Sequence, residues 1–301
     1  MSLTSYVKEE SVRERIDESF PNRGVRAQKE IEAEPQTNHY ALVGTAVDYL
    51  ARFELRRNTP NVQSGPWVAE ISLELAREHF PGVASDVRDA IDRAKDERDE
   101  YLETGTMSRS LVESSLDLAR IDGIYRGGRP PEDLGEYDEG DIEDCLRLME
   151  VFDGCDALDG NDVYLNPEFG LASRFVGGAD ADIILDGKLI DFKVTGKATF
   201  KVGYWRQLVG YLVLADAHTT LHESGIYDKM GLGDDPEARP LPDIDEIGVY
   251  FARHGEFSSV PADAVYGIDG YREFGLWFVK SAMDKYEPFN DGIRNSLRTL
   301  F

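Results

Sequence analysis

The stretch GGADADIILDGKLIDFKVT, residues 177–195, carries six charged residues inside what otherwise has the apolar pattern of two buried strands. Asp180, Asp182, Asp191 and Lys193 fall where that pattern asks for a core. An unpaired charge is expensive to bury, so such residues must pair, hold a metal or take part in chemistry. Side chains two apart on a strand project the same way, which places Asp191 with Lys193 on one face, Asp180 with Asp182 on another, and turns Phe192 away. Asp186-Gly187 is a two-residue hairpin signal, and such a turn brings the 182 end of the first strand beside the 191 end of the second. Two carboxylates, Asp182 (or Asp180 in its place) and Asp191, joined by the backbone carbonyl of Phe192, make a hard oxygen site suited to Mg²⁺ or Mn²⁺. An ion held there polarises a phosphoryl oxygen and acidifies water. Lys193 is then placed to position or deprotonate the attacking water and to stabilise developing charge.

The elements that must hold this hairpin divide the chain in two. Residues 1–38 are polar with no sustained period and are expected to form a flexible N-terminal arm. HYALVGTAVDYLARFELRR predicts a helix over about 41–57, and NTPNVQSGP breaks it. WVAEISLELAREHF, VASDVRDAIDRAKDERDEYLE, SRSLVESSLDLARIDGIYR and DIEDCLRLMEVFD predict four more helices, so 39–155 is expected to be a helical N-terminal layer packed on a core formed by 156–301. In that core ADIIL and KLIDFKV are strands, ATFKVGYWRQLVGYLVLADAH is a helix over about 199–217, GLGDDPEARPLPDID is an acidic loop, EIGVYFARHG is a strand, and one or two helices close the chain. From about 138 the order is helix, three strands, helix, strand, which is an α/β core.

Composition excludes several classes. With 41% hydrophobic residues the 301-residue chain can bury a substantial core, and neither a run of about 20 apolar residues nor a signal-peptide pattern is present, so a cytoplasmic protein without membrane segments is expected. Cys145 and Cys155 are too few for a disulfide framework or a four-cysteine iron–sulfur site. The 58 acidic against 33 basic residues give a formal charge of −25, which fits a halophilic source, where salt screens self-repulsion. Against that background four of ten lysines, Lys188, Lys193, Lys197 and Lys201, stand between 188 and 206 with Arg206. This marks a local site for an anion such as phosphate. Lys197 and Lys201 flank a helix start, where cations oppose the macrodipole and a bound phosphate would relieve the cost; solvated lysines are the competing reading.

The set Gly178-Ala-Asp-Ala-Asp182, Asp191-Phe-Lys193 and Gln207-Leu-Val-Gly-Tyr211 resembles the PD-(D/E)XK nuclease superfamily, and within it the RecB-like exonucleases. The resemblance covers roughly 160–255 and the helix near 44, and implies a restriction-endonuclease-like core, a mixed central sheet flanked by helices, that hydrolyses DNA phosphodiesters with a divalent metal. It makes Asp182 and Asp191 metal ligands, Lys193 the catalytic lysine, Gln207 a positioner of lysine or water, and Tyr211 a DNA or core contact. Gln207 and Tyr211 stand at i and i+4 on one helix face. Where the family offers histidine after Gly-Thr, this chain has Asp48 in Gly44-Thr45-Ala46-Val47-Asp48, an oxygen ligand acceptable to Mg²⁺ or a solvated helix residue.

Competing readings accompany each position: Asp191 and Lys193 as a surface ion pair, Gln207 as an ordinary helix polar residue, Tyr211 as core, and His254, Glu143, Ser173 and Arg174 as structural. The functional expectation is a metal-dependent nuclease acting on single-stranded or end-bearing DNA, with any helicase or specificity subunit a separate protein. The alternative is an inactive nuclease-fold subunit that binds DNA or a protein partner.

Overall fold

A computed structural model describes residues 2–21, 29–233 and 238–286. Parts of three expected segments lie outside these residues: 22–28 of the arm, 234–237 of the acidic loop, and 287–301 at the end of the core segment.

The first described elements are helices α1 (Leu3–Tyr6) and α2 (Glu10–Ser19), where the sequence suggested an arm. Leu3, Tyr6, Val7, Val12, Ile16 and Phe20 are all buried. Each fully buried apolar side chain of this size contributes about 1.5–3 kcal/mol, enough to dock a segment whose other positions are charged. The helical layer follows as α3 (Tyr40–Asn58), a short strand β1 (Asn61–Ser64), α4 (Val68–His79), α5 (Ala84–Thr104), α6 (Arg109–Gly127) and α7 (Glu139–Asp153). The core continues with β2 (Asp162–Leu165), α8 (Leu171–Phe175), β3 (Ile183–Leu185), β4 (Lys188–Lys193), α9 (Val202–Glu223), α10 (Ile226–Lys229), β5 (Glu246–Phe251), β6 (Glu256–Pro261), α11 (Asp263–Tyr266) and α12 (Tyr271–Tyr286).

The six strands form one mixed sheet in chain order, β1 to β6. β1 is parallel to β2 and β4 to β5, and the other neighbours are antiparallel. Strand alternation divides the molecule into three layers. Ile183, Leu185, Ile190, Phe192 and Tyr250 face the helical layer, while Ile184, Leu189, Val249 and Phe251 face α9. α9 is apolar around most of its circumference because α1, α2, α8, α10 and α12 pack around it. α1 lies close against α9 at Gly210, where a Cβ would stand 2.8 Å from the Leu3 side chain and 3.3 Å from that of Val7.

β1 and β6 have no counterpart in the sequence reading. β1 is four residues long and mostly exposed, and carries no apolar alternation that could have announced it.

Candidate active site

The hairpin turn forms as its sequence predicts. Asp186 and Gly187 have φ of 46° and 77°, both positive as a type I′ turn requires. The Asp186 carboxylate accepts the N–H groups of Asn161 and Asp162 at 3.0 and 2.9 Å, locking the turn to β2. Register then decides the chemistry. Ile183 pairs with Ile190, so one further step sets Asp182 opposite Asp191.

Asp191 is 2% exposed. Its Oδ1 accepts from the Lys193 Nζ at 2.7 Å, while Oδ2 is buried with no hydrogen-bond partner. Burial pushes the Asp191 carboxyl up to about 6; Lys193 opposes the rise and Asp182 adds to it. For Lys193 burial acts downward, but Asp191 and Asp182 outweigh it and hold the ammonium above its ordinary value. Asp182 Oδ2 accepts the Phe192 N–H at 2.7 Å, fixing the 192 peptide beside it. The Phe192 ring points the other way, into Tyr250 and Phe152 at centroid distances of 5.3 and 6.1 Å.

These groups floor a cleft of about 950 Å³ that Asp180, Asp182, Asp191, Lys193, Gln207 and Tyr211 line together. Gln207 Nε2 donates to the Tyr211 hydroxyl at 2.8 Å, and that hydroxyl donates to the Asp180 carbonyl at 2.7 Å. Tyr211 is 4% exposed and stacks on Phe169. Its visible role is to tie α9 to the segment that carries the acids. Tyr211→Phe removes two part-buried hydrogen bonds at about 0.5–1.5 kcal/mol each, so a loss of about 1–3 kcal/mol is expected, measurable by urea unfolding. An unchanged unfolding midpoint would remove the tyrosine from this role.

The expected anion cluster is dispersed. Lys188 lies at the far end of β4, roughly 16 Å from Lys193 at about 3.3 Å per residue, with Nζ on the Ala157 carbonyl at 3.3 Å. Arg206 lines the cleft but is held by Asp17 of α2 through two bonds of 2.7 and 2.6 Å. Lys197 is exposed in the loop after β4 and does not line the cleft. Lys201 is exposed at the α9 N-cap, its Nζ 5.6 Å from the Tyr204 ring, which Lys193 approaches at the same distance. Asp48 is not in the lining either. Its carboxylate pairs with Arg52 one turn along α3, a buried guanidinium that stacks on Tyr49. Burial pulls Arg52 down to about 10, with Asp182, Asp122 and Asp180 opposing.

Other positions weighed from sequence are structural. Ser173 donates to the Ala179 carbonyl at 2.6 Å, Glu143 pairs with Arg147 on the exposed side of α7, and His254 is buried outside the cleft lining. The sequence reading missed the rims of the cleft: Tyr125 and Arg126 at the end of α6, and Ser2, Thr4, Ser5 and Lys8 around α1. The apolar spacing Leu3-Tyr6-Val7 and Val12-Ile16-Phe20 is the signal that would have placed the second group.

Beneath the α6 rim lies Asp122, 1% exposed. Its Oδ1 accepts from the Tyr49 hydroxyl at 2.7 Å, its Oδ2 has no hydrogen-bond partner, and Arg126 stands 3.8 Å away. Burial pushes this carboxyl from 3.8 up to about 6, against Tyr49, Arg126 and Arg52. The folded state therefore holds the proton more tightly than the unfolded chain. No penalty exists below pH 3.8; it grows as pH rises to about 6 and reaches about 3 kcal/mol at 1.36 kcal/mol per pH unit. The melting-temperature difference between Asp122→Asn and the parent is expected to move in the variant's favour between pH 4 and pH 7. A pH-independent difference would contradict the assignment.

Among the described residues no three His, Cys, Asp or Glu side chains converge as a closed metal cage. The orphaned Oδ2 of Asp191, a residue that lines the cleft with a second carboxylate across the strand pair, nevertheless fits a hard divalent cation, since Mg²⁺ is commonly held by one or two carboxylates together with water and substrate phosphate. Both cysteines are free and buried. No helix among the described residues is long and apolar enough to cross a membrane. In comparison with known proteins, no family model matches the sequence, and no match emerges among curated proteins or solved structures.

Proposed function

We propose that the chain is a divalent-metal-dependent nuclease of the PD-(D/E)XK type, hydrolysing DNA phosphodiester bonds at the Asp182/Asp191/Lys193 cleft. The observation that carries this reading is Asp191: a buried carboxylate with one oxygen on Lys193, the other without a partner, and a second carboxylate opposite. Two like charges so placed repel unless a cation joins them, and they would repel phosphate too. The order α7, β2, β3, β4, α9, β5, interrupted by the short helices α8 and α10, with the acids on the central hairpin and Gln207 and Tyr211 on the following helix, supports a restriction-endonuclease-like core.

Asp182 and Asp191 would hold Mg²⁺ or Mn²⁺, which when bound polarises the phosphoryl oxygen and acidifies the attacking water. Asp191 also orients Lys193, whose ammonium faces the cleft where negative charge builds on phosphorus-bound oxygens as the water O–P bond forms and the ester P–O bond breaks. Gln207 and Tyr211 hold the Asp180 peptide, so the acid-bearing segment does not shift during the reaction.

The direct test incubates the purified protein in molar KCl with single-stranded, blunt duplex and circular DNA, with Mn²⁺, Mg²⁺ or EDTA. Cutting in the metal lanes and none in EDTA is the expected result, and the circular substrate distinguishes internal from terminal cleavage. Absence of cutting with every metal, with DNA binding retained, would overturn it in favour of a non-catalytic DNA-binding subunit.

A further inference from the structure

Tyr125 is 54% exposed, one of few large apolar side chains so placed among the described residues. It contributes little to the core, and it stands on the rim of the cleft floored by Asp182, Asp191 and Lys193. Its neighbour Arg126 lines the same cleft with a side chain 58% exposed and a loose 3.8 Å contact to Asp122. Lys8 lies exposed on the α1 rim.

The remaining cations of the cleft are committed: Lys193 to Asp191 and Arg206 to Asp17. Tyr204, the aromatic of the α9 wall, has Lys193 and Lys201 near its ring. Apart from Lys193 at the reacting group, that leaves about three cations, Arg126, Lys8 and Lys201 beside Tyr204, for phosphate contact on a chain of net charge −25. Counterion release from three contacts gives single-strand affinity a slope of only about −2 against log salt. Electrostatics is too small a source of affinity here, while a base stacked on an aromatic ring is insensitive to salt and to sequence. A paired base already has both faces stacked in the duplex and cannot use an isolated ring at the rim without being unstacked.

Resting on the nuclease reading of the same cleft, we propose that Tyr125 is a stacking platform for an unpaired base, with Arg126 contacting the adjoining phosphate, so that the strand is bound mainly by stacking and tolerates high salt. The helical layer then takes part in recognition through the end of α6.

The test compares wild type, Tyr125→Ala, Tyr125→Phe and, as a control on the other highly exposed tyrosine, Tyr40→Ala. Cleavage of a 12-nucleotide single strand is measured with Mn²⁺ at 0.1 and 1 M KCl. In parallel, anisotropy of the same fluorescein-labelled strand and of its duplex is measured in EDTA. Tyr125→Ala is expected to raise KM and the single-strand dissociation constant roughly tenfold at both salts, the effect of losing one stack, with kcat nearly unchanged. Tyr125→Phe and Tyr40→Ala should match wild type. Equal KM and equal single-strand affinity for Tyr125→Ala and wild type would overturn the platform, as would an equal loss on duplex. If no protein cuts, the nuclease reading fails alone and the anisotropy still decides: a selective single-strand loss in Tyr125→Ala upholds the platform, and equal or absent binding overturns it.

Discussion

Lys193→Ala is expected to reduce metal-dependent cleavage by about 10³-fold, the size seen when a positioned charge stabiliser or proton-transfer group is removed. Among the described residues Lys193 forms one ion pair, with Asp191, and its side chain is partly exposed, so the fold should survive its removal. The companion variant separates the metal from the lysine. Asp191→Asn removes one of two facing carboxylates and should abolish both cleavage and the melting-temperature rise that Mg²⁺ or Mn²⁺ gives the parent, because only binding to the native state stabilises it. Lys193→Ala, in contrast, should keep that rise. A variant lacking the Lys193 ammonium that cuts at the parental rate would remove the lysine from the chemistry. An undiminished metal-induced rise in Asp191→Asn would place the ion elsewhere.

The largest expected effect on stability lies away from the cleft. Arg253, 1% exposed, donates to both oxygens of Asp144 on α7 at 2.7 and 2.8 Å and to the Ala33 carbonyl at 3.1 Å. It joins the turn after β5 to the helical layer and to the segment before α3, whose Glu32 and Ala33 N–H groups bond the Arg253 carbonyl. Asp144→Ala leaves this guanidinium buried without its counter-ion, a loss of about 3–5 kcal/mol. For a chain of 301 residues that is a fall of about 5–8 °C in melting temperature. The double variant Asp144→Leu with Arg253→Met should recover most of it, since an apolar pair of similar volume has no desolvation penalty. If the double variant melts as low as the single one, the contribution is packing rather than charge.

How much of this could be read from the chain varies by element, for identifiable reasons. α3 to α7 carry an apolar stripe of helical period and are bounded by breakers such as Phe80-Pro81-Gly82, so their existence follows from local spacing. α1 and α2 have a similar stripe, Leu3-Tyr6-Val7 and Val12-Ile16-Phe20, but it is diluted by charge, and it matters only because α9 offers an apolar surface to receive it. β1 had no local signal; its parallel pairing with β2 unites residues 101 apart, Asn61 with Asp162. Arg206 illustrates the limit at the candidate site. The lysines that precede it in sequence, Lys197 and Lys201, suggest an anion site, yet its partner is Asp17, 189 residues away. Asp48 was legible in principle, because Arg52 stands at i+4, the spacing at which a helix joins opposite charges.

Local sequence was enough to specify the acid-bearing hairpin: the alternation of Asp191, Phe192 and Lys193, the Asp-Gly turn, and hence the meeting of Asp182 with Asp191. These depend on pleat geometry and on a two-residue turn, both of which act over fewer than a dozen residues. Which cations face the cleft and what forms its rims were set by long-range packing. Charge pairing is a competition among all side chains that folding brings within a few ångströms, so Asp17 takes Arg206 and Asp191 takes Lys193. Tyr125 and Arg126 reach the rim because α6 packs beside α3 and ends there, a placement set by the buried stripes of several helices and not by any residue near the hairpin.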